Sequence, residues 1–250
     1  MPDAQVIIAI GSTFLLAGTV KGVVGLGLPT VSLALLTVAF DLPTAMALLL
    51  APSFVTNFWQ AVTGGNGGVI LRRLWPFLLM ATVTVWIGAI ALTRVNLHVL
   101  TALLGLLLVI YSAVSLSGLR LNVPARHEVW AGPLIGSANG VLTGMTGSFV
   151  VPGVMFLQAI GLSRDLLIQA MGMLFTASTL ALAAALQRAS ILTMELGLIS
   201  IAAVLPALAG MVLGQRIRRQ LSEAMFRRVF FIALLILGSY ILVSALTAYR

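Results

Sequence analysis

Long runs without a charged side chain constrain this sequence more than any other feature. Ala45 to Val62, Leu74 to Leu92, Leu97 to Leu116, Leu166 to Leu186 and Val229 to Leu246 contain no Asp, Glu, Lys or Arg. Each approaches or reaches the roughly 20 residues that a helix needs to cross a bilayer. Apolar residues make up 60% of the 250 and charged residues 8%, more apolar surface than a water-soluble core of this size requires. A membrane β-barrel is excluded, because its strands would alternate apolar and polar over about 10 residues, and these runs are apolar on every face. The expected fold class is therefore an all-α integral membrane protein.

A search for internal repetition divides the chain in two. Gly18, Gly22 and Gly25 recur 122 positions later as Gly140, Gly144 and Gly147. A proline follows in each case, Pro29 and Pro152, and Gly88 matches Gly210, Leu42 matches Leu162 and Tyr111 matches Tyr240. Residues 1–117 form a first repeat, 118–128 a polar cytoplasmic linker, and 129–250 a second repeat. The first repeat reads as five apolar segments: Ala4 to Val20, Pro29 to Phe40, Ala45 to Val62, Leu74 to Leu92 and Leu97 to Leu116. In the second they are Val129 to Met145, Val150 to Ile160, Leu166 to Leu186, Leu196 to Leu213 and Val229 to Leu246. An odd number of segments turns the second repeat upside down relative to the first, so the repeats are expected to be inverted. The second segment of each half is too short to span comfortably, and with the preceding helix it either crosses or forms a re-entrant hairpin.

Cytoplasmic loops should hold most Lys and Arg. With both termini on the periplasmic side, Lys21, Arg72, Arg73, Arg120, Arg126, Arg164, Arg216, Arg218, Arg219, Arg227 and Arg228 fall inside, and only Arg94, Arg188 and Arg250 fall outside. The implied location is a bacterial-type plasma (inner) membrane, crossed many times. The N-terminus lacks the basic n-region of a cleavable signal, so the first helix is expected to remain.

The net charge of +8 is spread over short loops and gathers on no soluble face, which argues against nucleic acid as a partner. Cysteine is absent, which removes thiolate chemistry and Cys-ligated metal. No paired carboxylates, HExxH, GxSxG or P-loop occur, so the chain is read as not an enzyme, with no cofactor and no metal. Its partners are membrane lipids and a small solute. A homodimer stays open, and the coupling ion, proton or sodium, is not legible.

Interrupted helices at matching places in two halves are the best sequence pointer to a transporter's solute site. Here they are GTVKGVVGLGLP and GVLTGMTGSFVVP. Each is followed by a helix whose first N–H groups and dipole favour an anion. In the first break the candidates are Lys21, Gly22, Gly25 and Gly27. In the second they are Asn139, Thr143, Gly144, Thr146, Gly147 and Ser148, whose amide and hydroxyls can donate to an oxyanion. Asn57 and Gln60 lie three residues apart on one face of a neighbouring helix. Close helix packing explains the Gly132, Gly136, Gly140, Gly144 stripe as well as a ligand does, and Lys21, the chain's one lysine, either attracts an anion or snorkels to the headgroups. Asp41 and Asp165, at short turns, are expected to cap helices.

These paired breaks, each opening a half of about 120 residues, resemble the sulfite exporter TauE/SafE family, and the resemblance covers almost the whole chain. The proline of the first break comes one residue early relative to the second. The resemblance implies a permease for small sulfur-containing anions such as sulfite, sulfoacetate or other organosulfonates, moved outward. The residues themselves point to an anion and do not select sulfur over carboxylate. A channel-like permease for another small anion or neutral solute, and a non-transporting membrane assembly protein, remain alternatives.

Overall fold

The computed structural model describes residues 3–119, 121–218 and 222–249, apart from the side chain of Glu223. Arg120, Arg219 and Arg250, used in assigning sidedness, lie outside the described residues. All regular structure among the described residues is helical: α1 (Ala4–Val24), α2 (Leu28–Ala39), α3 (Leu42–Leu48), α4 (Leu50–Val62), α5 (Gly67–Val83), α6 (Val85–Arg94), α7 (Leu97–Ser117), α8 (Ala125–Thr146), α9 (Gly153–Ala159), α10 (Arg164–Arg188), α11 (Met194–Ala202), α12 (Val204–Arg218) and α13 (Glu223–Ala248). Six spans among these residues are long and apolar enough to cross a bilayer, and the α3/α4 pair, bent by 45°, makes a seventh.

Every expected apolar segment contains helix, though three are divided and that of Val150 to Ile160 is helical only over Gly153–Ala159. The α3/α4 bend at Leu49 precedes Pro52 by three residues, and the α11/α12 break at Ala203 precedes Pro206 by three. In both places the proline lacks an N–H and its ring crowds the carbonyl one turn back. At the α5/α6 break the Thr84 hydroxyl donates to the Met80 and Ser137 carbonyls. The α8 helix, 22 residues long, is not among the apolar spans, because Arg126, His127 and Glu128 occupy its first turn and glycine its middle. Asp41 accepts from the Thr44 amide at 2.7 Å and so caps α3, while Asp165 sits in the first turn of α10.

The chain forms two compact units, and neither coincides with a sequence half. The first comprises Met1–Pro52, Asn96–Gly118 and Ile191–Arg250, and the second Ser53–Val95 and Leu119–Ser190. In the first, α1 packs along α12 and α7 along α13; in the second, α8 packs on α5 and α6, with α10 beside them. The repeats therefore exchange elements, each break-bearing helix docking on the fourth segment of the other half.

Glycine makes these crossings close. A β-carbon at Gly18 would strike the Ala207 carbonyl, and one at Gly22 the Met211 carbonyl; in the second unit Gly140 and Gly144 stand in the same way against the carbonyls of Ala81 and Val85. The contact on the opposite helix is made by Gly214, against the Thr19 carbonyl, and by Gly88, against the Val141 carbonyl. Thr19 and Val141 are 122 positions apart, so the structural counterpart of Gly88 is Gly214, one helical turn beyond the Gly210 that sequence spacing matches to it. Gly210 instead corresponds to Thr84: Gly210 lies against the Leu15 carbonyl, where Thr84 donates to that of Ser137. The tyrosines matched by sequence also differ, since Tyr111 is buried against Phe231 and Tyr240 is exposed.

The second short segment does not span. At 1.5 Å per residue, the seven residues of α9 reach about 10 Å, against a hydrocarbon core of about 30 Å. Its C-terminal end returns to the start of α8. Val123 N–H donates to the Ala159 carbonyl at 2.9 Å, and Arg73, which grips Glu128 of the first α8 turn through two bonds of 2.9 and 2.6 Å, also donates to the Ile160 carbonyl. The α8–α9 element is thus a hairpin whose far ends meet.

Candidate functional site

The two breaks are built differently. In the first unit, α1 stops at Gly25, whose φ of 85° is left-handed, with its N–H bonded to the Lys21 carbonyl at 2.8 Å. Only Gly25, Leu26 and Gly27 separate it from α2, and Gly27 has φ 107°, a conformation that L-residues with side chains rarely adopt. Pro29 already lies inside α2. In the second unit, α8 stops at Gly147, φ 72°, and residues 147–152 run back before α9 begins, with Pro152 as its N-cap. The two prolines thus hold different helical positions.

Side chains of the second break hold its backbone. Thr143 Oγ1 donates to the Ser148 carbonyl at 2.9 Å, Thr146 Oγ1 donates to the Leu142 carbonyl at 2.7 Å, and the Ser148 amide donates to Thr146 Oγ1 at 3.2 Å. Asn139 Oδ1 accepts from the Gly153 amide at 2.8 Å. All four side chains are buried. The Val154 amide donates to the Val150 carbonyl. Of the amides that open α9, those of Gly153 and Val154 are therefore already engaged. Pro29 removes one donor from the start of α2, and the Val31 amide bonds to the Gly27 carbonyl.

What the second break leaves available is the Asn139 amide nitrogen, buried and without a hydrogen-bond partner. An unpaired buried donor is costly, on the order of 1–3 kcal/mol, and an oxyanion would satisfy it. From Val129 to Arg164 the chain carries no Asp or Glu, and the carboxylate of Glu128, in the first turn of α8, is paired with Arg73.

The sequence candidates distribute between the units. Lys21, Gly22, Gly25 and Gly27 belong to the first; Asn57, Gln60, Asn139, Thr143, Gly144, Thr146, Gly147 and Ser148 belong to the second. Lys21 is 4% exposed, whereas a snorkelling lysine keeps its head in water. Gly22 and Gly144 are helix-packing positions. Asn57 is fully buried. The Gln60 amide donates to the Ile168 carbonyl at 2.6 Å, while Gln169 donates to the Ala61 carbonyl and accepts from the Asn66 amide, so the two glutamines lace α4 to α10. Sequence reading passed over Ser53, Ser178 and Thr179, whose hydroxyls in the second unit are buried and unpartnered. No charge sets such small residues apart in an apolar run.

The chain matches the family model described as sulfite exporter TauE/SafE over residues 10–241. No protein of curated function and no solved structure matches it.

Proposed function

The chain belongs to the sulfite exporter TauE/SafE family, and from that premise we propose that it is a secondary transporter carrying a small sulfur-containing anion, such as sulfite, sulfoacetate or another organosulfonate, outward across the bacterial plasma membrane. The observation that carries the reading is the α8–α9 hairpin, read here as re-entrant. Its backbone is fixed by Thr143, Thr146 and the Asn139 carbonyl oxygen, and it retains one buried amide donor with nothing to bond. Irregular backbone of this kind is tolerated at membrane depth only where it is enclosed by protein or lines a cavity. Neutral donors without a neighbouring carboxylate suit an oxyanion, which can only accept.

Lys21, the chain's one lysine, is the charge that the first break offers a negative solute. The solute is exposed to the two sides of the membrane in turn, by alternating access. Periplasmic termini are supported by the charge bias, since that orientation leaves eleven of the 14 cations inside.

Proteoliposomes test this directly. Efflux of sulfite and sulfoacetate should saturate and should be accelerated by the same anion on the far side, whereas acetate should carry little flux. Linear, unsaturable flux without trans-acceleration would favour the channel-like alternative. No flux of any anion would refute transport.

A further inference from the structure

The third apolar segments of the two halves share a pattern. Ala45, Met46, Leu49 and Ser53 in the first have the same order and spacing as Ala170, Met171, Leu174 and Ser178 in the second, A-M-x-x-L-x-x-x-S. All eight residues are buried, none more than 2% exposed. The apolar members are core positions of their helices. The serines are different: both Oγ atoms are buried and neither has a hydrogen-bond partner.

A helical serine has an easy partner, the carbonyl four residues back. Elsewhere in this chain that bond is made. Thr19 donates to Leu15, Ser32 to Leu28, Thr37 to Leu33, Thr82 to Leu78, Ser137 to Pro133 and Thr176 to Gly172, all between 2.7 and 2.8 Å. Ser53 and Ser178 leave the carbonyls of Leu49 and Leu174 unused for this purpose. Alanine would fill the same space without burying an unpaired hydroxyl, yet serine stands at the corresponding position of both halves.

The surroundings of Ser178 connect it to the candidate site. Both serines belong to the second unit, with Asn139. Thr179, next to Ser178, also has an unpartnered hydroxyl. One turn before them on α10, Phe175 packs its ring 5.8 Å from that of Phe149, which directly follows Ser148 in the second break. The α10 stretch that bears Ser178 and Thr179 is therefore anchored to the break itself.

We propose that Ser53 and Ser178 are a matched pair of substrate-contacting hydroxyls, which with the Asn139 amide donate to the oxygens of the transported oxyanion. The proposal rests on the transport reading and adds the groups that hold the substrate. It assigns recognition to neutral donors, which a fully deprotonated sulfite or sulfonate group satisfies as acceptor.

The test compares the parent with Ser53→Ala and Ser178→Ala in proteoliposomes loaded with sulfite, together with thermal unfolding of the detergent-solubilised proteins. Thr176→Val serves as control, since it removes a hydroxyl already bonded within α10. Loss of a hydrogen bond to a charged acceptor should raise KM roughly tenfold or more in each serine variant. The unliganded melting temperature should hold or rise, and the stabilisation that sulfite gives the parent should shrink. Ser53→Cys and Ser178→Cys, which keep a side-chain branch but donate weakly, should behave like alanine. Parent-like KM in the serine variants, or a fall in unliganded stability with KM unchanged, overturns the pairing and leaves the transport reading standing. Absence of saturable sulfite or sulfoacetate flux in the parent overturns both.

Discussion

Replacing Gly144 by alanine should separate α8 from the α5/α6 helix pair. A β-carbon there would fall within contact distance of the Val85 carbonyl, 2.5 Å from the Ala89 nitrogen and 2.8 Å from the Gly88 carbonyl carbon. All three are backbone atoms, so no flexible side chain can swing aside, and the helices must part by roughly 1 Å to restore ordinary contact. Inserting a methyl group into packed structure costs about 1–3 kcal/mol, and a site walled by backbone belongs at the upper end. About 3 kcal/mol corresponds to a shift of roughly 150-fold in the unfolding equilibrium and a melting temperature lower by about 6–12 °C. Gly11→Ala is the matched control: it too lies inside a helix, but no atom stands within 4 Å of its β-carbon position, and alanine's better helix propensity favours it by up to about 1 kcal/mol. Thermal unfolding in one detergent would compare them. If Gly144→Ala melts with the parent, or Gly11→Ala falls equally far, close packing at the repeated crossing does not hold α8 in place.

Gly22→Ala should reproduce the Gly144→Ala loss, because Met211 and Gly214 present the same backbone wall in the first unit; unequal melting temperatures would break the equivalence. A double-mutant cycle over Arg73→Gln and Glu128→Gln should return about 1 kcal/mol, since the pair is bidentate but the Arg73 side chain is 40% exposed; a coupling near zero would remove the pair from the ties that close the α8–α9 hairpin. A periplasm-active enzyme fused after Arg250 should be active, and the same reporter inserted between Arg120 and Arg126 inactive; the reverse pattern would invert the proposed sidedness.

The apolar segments were legible because membrane burial writes itself into composition. Charge-free runs such as Leu166 to Leu186 admit few other structures, and glycines at positions such as Gly25 and Gly147 mark helix ends that need a left-handed residue. Spacing alone could not place contacts across the chain. The correspondence of Gly88 to Gly214 instead of Gly210 depends on how far each helix slides along its own partner, a property of tertiary packing. The roles of Thr143 and Thr146 were equally hidden, because a hydroxyl that donates to a backbone carbonyl and one that waits for a solute are the same letter in a sequence. Ser53 and Ser178 reverse that case: they read as ordinary members of apolar helices until their missing partners became visible.

Asn139→Asp offers the sharpest examination of an anion-binding second break. The substitution preserves the oxygen that accepts from Gly153 and the side-chain shape, while exchanging the unpartnered amide donor for a carboxylate oxygen. Like charges about 4 Å apart near a protein surface repel by about 4 kcal/mol, so saturable sulfoacetate flux at pH 8 should fall roughly a hundredfold or more, and it should recover toward acid pH as the carboxyl regains a proton to donate. Parent-like KM and flux for the Asn139→Asp variant across the same pH range would contradict the account.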